Sequence, residues 1–247
     1  APWDRVRDLE RPRAIALRPP GAPEAHGPPR PTDTDVAIAD ALAEAGGRNL
    51  AEAGLDVVLL PALAYTPAGF AAEFPGTISV SPETGTALVV DIATSLHDHG
   101  FGVLAIANAH FDPGHLTALH AAVDAIRASG LMTVAFPDVT RRPWVSRLTE
   151  EFRSGACHAG RYEGSIVLAR TPHRVDGAKM RDLPPHPVSL ADAIRDGKTT
   201  FGEAGGDRAY FGSPAEATAD EGRQTIATLG EILAESVREA IDEGGVA

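Results

Sequence analysis

Short apolar runs at 14–17, 56–60, 101–107 and 131–136 alternate with longer stretches of helical periodicity, and this alternation limits the fold more than any other feature. Repeated strand–helix–strand patterning is the mark of a mostly parallel sheet with helices on its faces. The chain has 247 residues and 43% apolar content, enough for one three-layer α/β domain over 1–247. The run at 101–107 reads as the central strand. It ends at Asn108, Ala109, His110, Phe111 and Asp112.

Helix limits follow from local chemistry. Ser81-Pro82-Glu83 offers a capping hydroxyl, a proline at the first position and an acid at the positive end of the dipole, with a stop at Gly100. A second helix starts at Pro113 or Gly114 and ends near Ser129. A helix over 35–46 is expected to close at Gly46-Gly47. Further helices are expected at 144–153, 159–169 and 214–241, with 171–208 an irregular excursion holding one short helix near 189–195.

A net charge of −12 disfavours nucleic acid or an anionic membrane as the main partner. The partner expected from the site residues described below is a small-molecule substrate. No run approaches a membrane span and no signal-peptide pattern is present, so a cytoplasmic location is expected. Cys157 is the single cysteine, which excludes an internal disulfide and a thiolate metal cage.

Glu24-Ala-His26-Gly-Pro follows the first strand, and the prolines around it rule out a helix there. Glu24 and His26 are two apart, so on extended chain they point to one side. Asp35 opens the next helical run, where its carboxylate can face the same loop. His110 and Asp112 repeat the spacing of two at the end of another strand. In an open parallel sheet, both groups then lie on the rim where ligands bind. This oxygen and nitrogen donor set suits two divalent ions of Zn, Mn or Fe, with Asp35 placed to bridge them.

At these positions the chain resembles the creatininase (creatinine amidohydrolase) family. Glu24-Ala-His26-Gly-Pro-Pro-Arg-Pro-Thr-Asp-Thr-Asp35 keeps the eleven-position spacing of the family's leading motif, and Phe74-Pro-Gly-Thr-Ile-Ser79 is similar to its Phe-Pro-Gly-Thr segment. Asn108-Ala-His110-Phe-Asp112 stands where relatives have Asn-Gly-His with Gly-Gly-Asn or Tyr-Glu-Asn. His158-Ala-Gly-Arg-Tyr-Glu163-Gly-Ser is similar to His-Ala-Gly-x-x-Glu-Thr-Ser. Tyr210-Phe-Gly-Ser-Pro, Ala217-Thr and Gly222 match the C-terminal pattern, so the resemblance spans nearly the whole chain in order.

The resemblance implies Glu24, Asp35 and His110 on one ion, and His26, Asp35 and Asp112 on the other. It also implies His158 as the proton-transferring histidine, with Glu163 supporting it or serving as a ligand should Asp112 fall short. Ser79 and Phe111 match substrate-contacting positions. Arg161 stands where many relatives have an acid, and an arginine there can receive a carboxylate or phosphate. Gly164 replaces a threonine, and Phe-Asp-Pro replaces Gly-Gly-Asn after His110. A homo-oligomer, a hexamer by resemblance, is implied.

The expected activity is metal-dependent hydrolysis of a non-peptide or cyclic amide C–N bond through a metal-activated water. The alternatives are a non-hydrolytic carbonyl reaction at the same metals, or an inactive ligand-binding homologue. His97, His99, His115, His120, His173 and His186 are expected to be solvated, and Asn108 to orient a ligand from behind.

Overall fold

The structure, a computed structural model, describes residues 2–244. Its sheet has β1 (Ile15–Arg18), β2 (Val57–Leu59), β3 (Val103–Ile106) and β4 (Thr133–Ala135), all parallel in the order β2-β1-β3-β4. The helices are α1 (Trp3–Arg7), α2 (Thr34–Glu52), α3 (Pro82–Asp98), α4 (Pro113–Ser129), α5 (Glu150–Ser154), α6 (Arg161–Arg170), α7 (Gly177–Arg181), α8 (Leu190–Arg195) and α9 (Ala219–Gly244).

Alternate residues of each strand feed two cores. Ile15, Leu17, Val103 and Ala105 meet Ile38 and Leu42 of α2, Ile166 of α6 and Leu229 and Leu233 of α9. Ala16, Leu104 and Ile106 face the other way, onto Val89 of α3 and Leu119 and Val123 of α4. This period of two makes the expected three-layer α/β architecture. No helix among the described residues is long and apolar enough to cross a membrane.

The chain leaves β1 through α2 on one face and reaches β3 and β4 through α3 and α4 on the other. The winding therefore reverses between β1 and β3, and a crevice opens beyond their carboxyl ends. The loops carrying Glu24, His26 and His110 leave from those two strands.

Several helix limits differ from the sequence reading. Helix α2 runs through Gly46 and Gly47, because a Cβ at Gly46 would lie 2.6 Å from Leu233 Cδ2. These glycines let α9 and the sheet approach rather than ending the helix. The helix expected at 144–153 is instead a single turn at Trp144–Arg147, then α5, because Thr149 caps a fresh start by accepting from Phe152 N–H. Helix α6 begins at Arg161 rather than 159, since Ala159 has φ 51°, outside the helical region. The closing helix begins at Ala219, after a separate turn at Pro214–Glu216. The excursion holds α7 as well as the expected α8.

Candidate metal centre

Glu24, His26, Asp35, His110 and Glu163 converge in the crevice and are each at most 3% exposed. Asp35 Oδ1 lies 3.1 Å from His26 Nε2, and its Oδ2 lies 2.9 Å from His110 Nδ1. Glu24 Oε1 is 3.4 Å from His110 Nδ1, and Glu163 Oε2 is 3.4 Å from His26 Nε2. His158 Nδ1 stands 3.6 Å from Glu24 Oε1. The donor atoms fall into groups, among them Glu24, Asp35 and His110, and His26, Asp35 and Glu163.

Each imidazole is pinned from behind by a carbonyl that can only accept. His26 Nδ1–H donates to Glu24 O at 3.1 Å, His110 Nε2–H to Pro67 O at 2.7 Å, and His158 Nε2–H to Ala25 O at 2.9 Å. The opposite nitrogens therefore face the carboxylates, and they would present their lone pairs to a cation that displaces the proton held there, as metal-binding histidines require.

Burial by itself would push the His26 imidazole down, but Asp35 and Glu163 outweigh it and hold it well above its ordinary value. Glu24 and Asp35 do the same for His110. Against its own burial, Asp35 is held far below the usual carboxylate range by His26 and His110. The His158 imidazole is pushed down, by burial and then by His26. His26 Nε2 and Asp35 Oδ2 are buried and make their close charge contacts without a well-aligned hydrogen bond. Orphaned donor atoms around three carboxylates, with no thiolate, fit a pair of divalent cations. Glu24, Asp35 and His110 would hold one and His26, Asp35 and Glu163 the other.

The structure does not bring Asp112 into either group, which corrects that expectation. Its Oδ2 accepts from Phe70 N–H at 2.8 Å, and its Oδ1 accepts from Gly114 N–H at 2.7 Å, capping α4. Glu163 occupies the corresponding place, delivered from the first turn of α6. Phe111 packs edge-on against Phe152 at 5.4 Å, on the core side rather than in the crevice. Arg161 is paired with Glu216 at 3.2 Å and Glu221 at 3.4 Å, so its charge is already matched. Ser79 accepts from Ala68 N–H and lines a cavity of about 300 Å³ with Pro67, Phe70, Val80 and Lys198. That cavity adjoins the centre, because the carbonyl of Pro67 holds His110.

His115 is buried at 1% exposure, contrary to the solvated expectation, and its Nε2–H donates to Asn108 Oδ1 at 2.9 Å. Asn108 in turn donates to His110 O at 2.7 Å, so it supports a ligand loop as expected. Two further buried charges escaped the sequence reading. Glu151 accepts from Tyr162 N–H at 2.6 Å and Ser213 N–H at 2.7 Å, tying α6 to the 213 loop. Arg30 bonds to the carbonyls of Ala159 and Gly160. Its place between Pro29 and Pro31, shortly after His26, was the available sign. Phe201, from the excursion, stacks 4.4 Å from His158 and touches Phe70 and Phe211, covering the centre.

The creatininase family, described as creatinine amidohydrolase, matches residues 1–237. A mycofactocin precursor peptide peptidase of Mycobacterium tuberculosis (strain H37Rv) is 32% identical over 218 residues, covering 85% of this chain and 79% of the relative. A creatinine amidohydrolase of Pseudomonas putida is 27% identical over 188 residues, covering 69% of this chain and 70% of the relative. Among solved structures, a tryptophan-to-phenylalanine mutant creatininase superposes with a TM-score of 0.72 at 22% identity, covering 97% of this chain and 96% of that one. A manganese form of creatininase gives 0.69 at 22% identity over the same shares.

Proposed function

The chain belongs to the creatininase family, and from that premise we propose that it is a two-metal hydrolase cleaving an amide C–N bond. One observation carries the reading: the two carboxylate oxygens of Asp35 each face a different buried imidazole. When bound, paired divalent ions supply an activated water and a Lewis acid for the carbonyl.

The chain's own residues do the rest. His26 and His110 are locked in the ligating tautomer by carbonyls of the chain. His158 presents an unprotonated Nδ1 beside Glu24, and its lowered basicity keeps it neutral, so that Nδ1 can take the proton released by the attacking water and then hand it to the departing nitrogen. Phe201 excludes bulk water above it.

The relatives divide over substrate. Mycobacterial ones at 29–32% identity are named for a peptide precursor, and the creatinine amidohydrolase stands at 27%. We therefore rank a peptide-derived amide first, ahead of the non-peptide or cyclic amide expected from the sequence. The non-peptide or cyclic amide stands as the second reading, supported by the covered, enclosed centre.

Protein purified without chelator is expected to carry two equivalents of Zn or Mn. Stripping them should abolish hydrolysis of a peptide and lactam panel, and restoring either metal should recover it. A metal-free protein that hydrolyses the panel would sink the reading. Glu163→Gln should lose one ion. Asp112→Asn should keep both and cost only about 1–2 kcal/mol of stability, because asparagine still caps α4 but its amide nitrogen cannot accept from Phe70 N–H. Elemental analysis and thermal melts of the two variants separate these roles, and the reverse outcome would restore Asp112 as the ligand.

A further inference from the structure

Arg30 is only 7% exposed, yet its guanidinium bonds to backbone carbonyls rather than to a carboxylate. Nη2 donates to Ala159 O, and Nη1 donates to Gly160 O at 3.3 Å. Burial pulls it down to about 10, with Glu163 and Glu151 opposing, so it remains a cation at neutral pH.

The peptide it grips is the junction of the site. Ala159 is a non-glycine residue at φ 51°, a conformation that needs support. Its N–H donates to Glu163 Oε2 at 2.7 Å, the same oxygen that faces His26 Nε2. The residue before it is His158, anchored on Ala25 O. Space for the guanidinium exists because residue 164 is glycine. A Cβ there would lie 3.3 Å from Arg30 Nη1 and 2.9 Å from Ala217 Cβ.

We propose that Arg30 is a positioning residue for the group formed by His26, Asp35 and Glu163. By holding the carbonyls of Ala159 and Gly160 it fixes the left-handed turn that aims His158 and presents the Ala159 N–H to Glu163. The inference rests on the paired-metal reading above. It assigns Arg30 and Gly164 as a matched pair, in which the small residue accommodates the large cation.

The test uses the full chain as wild type, Arg30→Met and Arg30→Lys, with two readouts. In a chelator competition with Zn, Arg30→Met is expected to weaken one of the two ions by ~10–100-fold, as loss of an outer support does, and to leave the other unchanged. Arg30→Lys, which keeps a donor and the charge, should recover part of the loss. In metal-free protein, hydrogen exchange at the Ala159 amide should rise by about tenfold or more in Arg30→Met. Should Arg30→Met fail to fold, Gly164→Ala, which crowds the guanidinium from the other side, should move both readouts in the same direction.

A general loosening would weaken both ions together, and that result overturns the proposal. So does an unchanged pair of affinities with unchanged Ala159 exchange. If the wild type holds fewer than two zinc ions, the paired-metal reading fails, and the exchange measurement alone decides the role of Arg30.

Discussion

Asp35→Asn protein is expected to leave purification with neither ion held and with hydrolysis lowered more than ~10³-fold, since removing even one preorganised charge-stabilising group costs about 10²–10³. The expectation comes from the two distances of 3.1 and 2.9 Å that join its oxygens to His26 and His110. Glu24 and His26 each also join a group with His158, but of the two groups assigned to ions Asp35 is the shared member. The amide keeps the size of the carboxylate but cannot donate two anionic oxygens, so packing survives and ligation does not. Elemental analysis, a far-ultraviolet spectrum and a rate on the best panel substrate decide it. A folded variant that kept two ions and its rate would end the bridging role of Asp35.

The second large effect is on stability. Gly222→Ala is expected to destabilise the fold by ~3 kcal/mol or more, the upper range for overpacking. For a chain of this size that lowers the melting temperature by roughly 6–12 °C. Two effects compete at this position. Alanine in a helix interior gains up to ~1 kcal/mol over glycine. Against that, a Cβ at 222 would lie 1.8 Å from Ser165 O and 2.3 Å from Ser165 C. Those are backbone atoms of α6 and cannot rotate aside, so α6 and α9 must part. Because Glu163 stands in the first turn of α6, the same change should weaken metal retention. A calorimetric scan fixes the sign, and a raised melting temperature would show that the crossing is not tight.

Much of the fold was legible where the information is local. Ser81-Pro82 and Pro113 mark the starts of α3 and α4, and the chemistry of the first cap lies within a few residues. The glycines of α2 misled because their reason is Leu233, a residue on a helix far along the chain. The same distinction divides the site. Glu24, His26, Asp35 and His110 stand at strand ends and in a helix's first turn, where spacing and sheet topology bring them together. Asp112 shared that pattern, yet its carboxylate is claimed by Phe70 and by its own helix. The resemblance already offered Glu163 as the ligand should Asp112 fall short, and the packing of α6 brings it to 3.4 Å from His26 Nε2. Glu151 was invisible for a related reason, since a charged residue satisfied by distant backbone carries no local signature, and Arg30 offered only its place between two prolines after His26.

The stacking of Phe201 on His158 also bears on time. The ring is held down by Phe201 N–H to Phe70 O at 3.0 Å and by the Gly202 N–H bond to Glu73, and the groups below it are almost wholly enclosed. An ion seated there would escape no more often than the aromatic cover lifts, whatever its equilibrium affinity. Chelator stripping followed over minutes would then report the opening frequency of the 196–206 segment, and loading would show hysteresis between addition and removal. Trapped in this way, the metals would behave as long-term residents of each molecule rather than as exchangeable salts of its surroundings.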